Sequence, residues 1–99
     1  MAEYLQFGML AMPTDLSSLY ILVIDPDRTM VALMRDVLKT IGIVRVDTIP
    51  DADRALAELR SNRYDIVITE RDMAPLNGIA LTKMIRTGEN SARPQVAIL

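Results

Sequence analysis

Ninety-nine residues suffice for one domain, and with 51% hydrophobic and 24% charged residues the chain can bury a core rather than stay disordered. It contains no Cys, no His and no Trp, which removes disulfides, thiol nucleophiles, Cys/His zinc sites, Ser/His catalytic pairs and any phosphohistidine role. Eleven Lys+Arg against thirteen Asp+Glu leave a net charge of -2, so the chain has no basic field to hold a nucleic-acid backbone.

No apolar stretch approaches the roughly eighteen residues of a membrane span, and Met1-Ala2-Glu3 lacks the basic start of a signal peptide. The expectation is a soluble, cytoplasmic chain. Residues 1–18 differ from the rest: Glu3 and Asp15 are their only charges, while Tyr4, Leu5, Phe7, Met9, Leu10 and Met12 crowd together before Pro13. They read as an N-terminal extension with a short amphipathic helix, and residues 19–99 as the domain.

The apolar, β-branched run Tyr20–Ile24 has the length and composition of a strand covered on both faces. Asp27 then caps a helix whose Met30, Met34, Val37, Leu38 and Ile41 form one buried face, with Gly42 as its stop. Val44–Ile49 mixes apolar and charged positions, as an edge strand does. Asp51 starts a second helix with the stripe Ala52, Ala55, Leu56 and Leu59, ending near Ser61-Asn62. Asp65–Thr69 is a further buried strand leading to Glu70. After the loop Arg71–Leu76, Asn77 opens a third helix that turns Ile79, Leu81, Met84 and Ile85 inward and stops at Gly88. Gln95–Leu99 is a fourth strand. This alternation is the signature of an α/β fold with parallel strands and right-handed crossovers.

Ligands of such sheets bind beyond the carboxyl ends of the strands, which places Asp25, Asp27, Glu70 and Asp72 around one crevice. Clustered carboxylate oxygens suit Mg²⁺; equally, Asp25 and Asp27 can serve only as caps while Glu70 and Asp72 solvate a loop. The turn Asp25-Pro26-Asp27-Arg28-Thr29 has no Gly, which excludes a phosphate-binding glycine loop. The methionines on helices fall at core spacing and read as packing.

The stretches Tyr20–Asp25, Ile41-Gly42, Asp65–Glu70 and Met73-Ala74-Pro75-Leu76-Asn77-Gly78 resemble a response-regulator receiver domain, over about four fifths of the chain. The resemblance implies a flavodoxin-like parallel sheet flanked by helices, here with about four of the family's five strands. In that family the third strand ends in a phosphate-accepting Asp, followed by a Met-Pro-x-x-Asp-Gly-like loop. Here Glu70 stands at the phosphoacceptor position, Pro75 sits one place late and Asn77 replaces the loop Asp. Where the family pairs two acids after the first strand, this chain has Asp25-Pro26. Leu99 stands at or just before the family's Ser/Thr, so that residue, the Lys of the fifth strand and the last two helices have no counterpart.

Phosphoryl transfer in the family needs an in-line Asp, Mg²⁺ and a Lys clamp. The extra methylene of Glu70 displaces its oxygen by about a bond length. The resemblance therefore implies a non-enzymatic module that works by protein-protein contact without phosphorylation, with Glu70 as a candidate fixed mimic of the phosphorylated state. Asp25, Glu70 and Asp72 are the candidate metal ligands and Asp27 a substitute acid; Mg²⁺ is expected to bind weakly at best, with no other cofactor. A sensor kinase or regulator of a signalling pathway is the expected partner, and the uncovered last strand argues for a homo-oligomer. Two alternatives stay open: a phosphoacceptor using Asp72 or Asp27, and the N-terminal part of a transcription regulator.

Overall fold

β-Branched and large apolar residues fill Tyr20–Ile24, and this run forms an inner strand, β1, in a computed structural model that describes residues 16–87 and 92–99. β1 pairs in parallel with β2 (Arg45–Ile49) on one side and with β3 (Ile66–Thr69) on the other. A two-residue β4 (Ala97–Ile98) extends the sheet to the order β2-β1-β3-β4. The expected α/β class with an all-parallel sheet is therefore present, with β2 at one edge as its mixed composition suggested.

Helix α1 (Arg28–Thr40) begins where the Asp27 carboxylate accepts the N–H groups of Thr29 at 2.9 Å and Met30 at 3.3 Å. It ends in a paired cap, with Ile43 N donating to the Leu38 carbonyl and Gly42 N to that of Lys39. The cap turns the chain through a φ of 96° at Gly42, a conformation that costs glycine little. Helix α2 (Ala52–Ser61) is capped by Asp51, whose carboxylate takes Arg54 N at 2.9 Å, and helix α3 (Gly78–Arg86) by Asn77, whose side-chain oxygen takes Ala80 N at 2.8 Å.

The sheet divides the molecule into two unequal layers. On one face, Leu22 and Ile24 of β1 and Val67 of β3 lie under Leu56 and Leu59 of α2 and Leu81 and Ile85 of α3. All seven side chains are buried. On the other face Ile21 and Val23 meet only one helix, α1, through Val31, Met34 and Leu38, together with Leu16 and Leu19. Leu16–Ser18 form a 3₁₀ turn, so part of the expected extension belongs to this second cluster.

Several local expectations need correction. Met30, Val37 and Ile41 of α1 are exposed, because the apolar arc of that helix is wider than the strip of sheet beneath it; Leu38 alone of the expected five is fully buried. Ile79 is likewise exposed at the first turn of α3, beyond the reach of α2. β3 starts at Ile66, since Asp65 is held otherwise: its N–H donates to the Tyr20 carbonyl and its carboxylate accepts Tyr20 N at 2.8 Å and Arg93 at 3.1 Å. β4 is shorter than Gln95–Leu99, although Leu99 continues the ladder through Leu99 N to the Val67 carbonyl and Thr69 N to its own carbonyl. Gly88 and residues 1–15 lie outside the described residues.

Candidate functional site

β1 sends its connections to β2 on one side and, by way of β2 and α2, to β3 on the other, so the strand order reverses at the β1/β3 boundary. A crevice opens at such a switch point, beyond the carboxyl ends of the two strands. Asp25 follows β1 and Glu70 follows β3, and both line one recess of about 160 Å³ floored by Ile68 and Thr69 and walled by Met30 and Met34 of α1. Of the four acids expected there, the structure brings these two together; Asp27 and Asp72 do not line it.

Each carboxylate is occupied by backbone donors of its own loop. Asp25 accepts Asp27 N at 2.8 Å, which fixes the turn into α1, while Asp27 is spent on the cap of that helix. Glu70 folds back so that one oxygen takes Arg71 N at 3.0 Å and Asp72 N at 3.3 Å. Asp72 is exposed and pairs with Arg71 at 3.5 Å. Among the described residues no group of three acidic side chains converges on a point where a cation would sit.

The loop from Glu70 to Asn77 closes on itself through Gly78, whose N–H donates to the Arg71 carbonyl at 2.9 Å. A Cβ at Gly78 would stand 2.6 Å from the Glu70 carbonyl oxygen, so only glycine permits this approach of α3 to the end of β3. The Ala74-Pro75 peptide in this loop is cis. On the other side of β1, Arg35 of α1 donates to the Val46 carbonyl and the Thr48 hydroxyl of β2, at 3.3 Å each. Chemically the arrangement offers two carboxylates already bound to amide donors, with an apolar wall and an open front. It can present negative charge on a loop tied by its own hydrogen bonds.

A second polar group lies at the opposite, amino-terminal end of the sheet. Asp47 of β2 accepts both the Tyr20 hydroxyl and, at 2.8 Å, the Tyr64 hydroxyl, while the two rings tilt against each other at 4.4 Å. The Arg45 guanidinium covers Tyr20 at 4.6 Å from the ring centre. Burial, and then the bond to Asp47, push the Tyr64 phenol far up from its ordinary value; the bond to Asp47 is the main cause that raises Tyr20. Sequence reading missed this trio, since nothing in a linear pattern joins Tyr20, Asp47 and Tyr64. The usable signal was strand alternation, which puts Tyr20 and Asp47 on one face once β1 and β2 are paired.

Comparison with known proteins adds the following. The family model for the response regulator receiver domain matches residues 21–99. The chain is 29% identical over 69 residues to the chemotaxis protein CheY of Pseudomonas aeruginosa, an alignment covering 70% of this chain and 56% of that protein. It is 32% identical to CheY-3 of Vibrio cholerae, over 70% of this chain and 53% of that one. The crystal structure of a response regulator receiver protein from Pseudomonas putida superposes with a TM-score of 0.71 at 26% identity, covering 81% of this chain and 64% of that one. The chain thus spans little more than half the length of the curated relatives it matches.

Proposed function

The chain belongs to the response regulator receiver domain family, and on that premise we propose that it is a non-enzymatic, cytoplasmic signalling module that acts by protein-protein contact without being phosphorylated. The observation that carries this reading is the state of Glu70. It stands at the phosphoacceptor-equivalent position on a side chain one methylene longer than Asp, and its carboxylate is folded onto Arg71 N and Asp72 N. With one oxygen held by two amide donors of its own loop, the carboxylate has a fixed orientation, and its added methylene takes it off the in-line position an Asp would hold. The same single charge makes Glu70 a fixed, if weaker, mimic of a phosphorylated residue. Mg²⁺ binds weakly at best in this reading, because Asp25 and Glu70 supply two carboxylates and Asp72 points its charge to Arg71.

The partner is a protein of a two-component pathway, a sensor kinase or another regulator. A similar solved structure, with a TM-score of 0.70 at 26% identity over 81% of this chain and 65% of that one, is the complex of histidine kinase ThkA with response regulator protein TrrA. No helix among the described residues is long and apolar enough to cross a membrane. A homo-oligomer belongs to the same reading.

Incubation with acetyl phosphate and Mg²⁺, followed by intact-mass spectrometry, tests the central claim. The expected result is no phosphoryl adduct and no change in the amide spectrum on adding beryllofluoride. An adduct mapping to Glu70, Asp72 or Asp27 refutes it and makes the chain a phosphoacceptor with an altered site. Glu70→Gln is expected to weaken binding to the partner while leaving the fold intact; unchanged affinity would assign Glu70 a purely structural part.

A further inference from the structure

β2 forms the edge of the sheet opposite β4, and among the described residues no strand pairs on its outer side. The Ile49 carbonyl is turned inward, where it accepts Asp25 N. By alternation Arg45, Asp47 and Ile49 direct their backbone groups to β1, while Val46 and Thr48 direct theirs outward. Arg35 agrees with this: its guanidinium reaches over the edge and donates to the outward Val46 carbonyl at 3.3 Å. A second bond of the same length ties it to the Thr48 hydroxyl. Both are longer than the usual range for such bonds, so a better-aligned backbone donor can displace them.

The side chains along this edge are self-complementary. Arg45 and Asp47, two residues apart, share the face of the sheet on which Tyr20 and Ile49 join the α2/α3 cluster. Asp47 uses one oxygen, Oδ2, for the hydroxyls of both Tyr20 and Tyr64, and its Oδ1 has no donor among the described residues. Arg45 lies over the Tyr20 ring and makes no hydrogen bond or ion pair among the described residues. On the opposite face Val46 is half-buried and Val44 is 61% exposed.

We propose that a second copy of the chain adds its β2 to this edge, antiparallel and about a two-fold axis through Val46. The outward N–H and C=O groups of the two Val46 residues then bond to each other, and Arg45 falls opposite Asp47 of the second copy on both sides of the axis. These are non-hydrogen-bonded pairs, in which opposed side chains stand closest, at about 4.5 Å between Cα atoms. Each sets a guanidinium beside an unused carboxylate oxygen. Sliding the copies by two residues, the least that keeps outward groups facing each other, opposes Arg45 to Arg45 or Asp47 to Asp47, so charge selects the register. Arg35 is the guard of this edge, since its hold on the Val46 carbonyl must be released before the strands meet. The surface deepens the homo-oligomer of the reading above and rests on that part of it alone.

Sedimentation equilibrium, with filtered NOE spectra of a mixture of isotopically labelled and unlabelled full chain, tests it. An intermolecular NOE between the Hα protons of Arg45 and Asp47 is expected, together with slowed exchange of the Val46 amide. Arg35→Ala, which bares the outward carbonyl, should tighten the dimer several-fold. Arg45→Glu opposes like charges on both sides of the axis and should weaken it by about tenfold or more. Both side chains are exposed, and unmoved methyl signals of Leu56, Leu59 and Leu81 will show that the fold holds in each variant. A dimer without the Arg45–Asp47 NOE overturns this surface and leaves the homo-oligomer standing. A monomer at millimolar concentration, in Arg35→Ala as in the natural chain, overturns both, and unchanged association in Arg45→Glu overturns the register.

Discussion

The two faces of the sheet are built from the same strands and the same kind of side chain, yet they end in different states. On the α2/α3 face each inward residue of β1 and β3 meets a helix, and two helices meet each other, so the layer closes. On the α1 face the residues alternate with those just as regularly, but one helix spans a sheet four strands wide. The difference teaches that strand composition sets how much apolar surface is offered, while connectivity decides how much is covered. A parallel sheet is stable when both faces are covered. The closed face is therefore expected to carry most of the stability of the described residues.

The largest effect that would sharpen this contrast is expected at Leu81, which is fully buried between α3 and the sheet. Leu81→Ala should cost about 3 kcal/mol in urea denaturation. A cost below about 1 kcal/mol would mean that the closed face is not close-packed. Gly78→Ala comes next, because its Cβ would meet the Glu70 backbone and not a flexible side chain. A loss of about 2 kcal/mol is expected, with amide shifts concentrated at Glu70, Arg71 and Asp72. An unperturbed loop would show that the approach of α3 to β3 is looser than it stands.

Tyr64→Phe removes one of two hydroxyl donors from Asp47 at the foot of the closed face and should cost about 1.5 kcal/mol. The same pair predicts an alkaline limit. Both phenols have folded-state pKa values raised above the unfolded value of about 10, so their contribution is intact below that pH and is lost as pH rises beyond it. For Tyr64 the decline is at most about 1.4 kcal/mol per pH unit, and it should vanish in Tyr64→Phe. Denaturation curves at rising pH check the slope; an identical slope in the variant would break the assignment. The smallest effect is expected on the open face, where Leu33→Ala should change stability by no more than about 1 kcal/mol. A loss matching that of Leu81→Ala would erase the distinction between the two layers.

Much of this architecture was legible in the residues. Ala52, Ala55, Leu56 and Leu59 make a narrow stripe, and a narrow stripe has one way to be buried, so α2 came out with all four inward. In α1 the apolar arc is broad, and periodicity states which residues can be covered without stating by what; hence Met30, Val37 and Ile41 were expected inside and are not. Asp25 and Glu70 could be placed at one crevice because each directly follows a strand. The bonds their carboxylates make were not legible, since they depend on loop dihedrals that side-chain pattern does not encode. Asp47 is harder still: its two partners lie 27 and 17 residues away, and only strand register brings them together.

That trio also gives the molecule an optical handle. With no Trp, all of the near-ultraviolet signal that reports tertiary packing comes from three Tyr and one Phe, and two of those tyrosines share a single carboxylate at the foot of the sheet. Separation of β1, β2 and β3 at that end releases both phenols into water at once. Unlabelled protein can therefore be watched by tyrosine emission and near-ultraviolet dichroism, both of which respond to the parting of the three strands at that end.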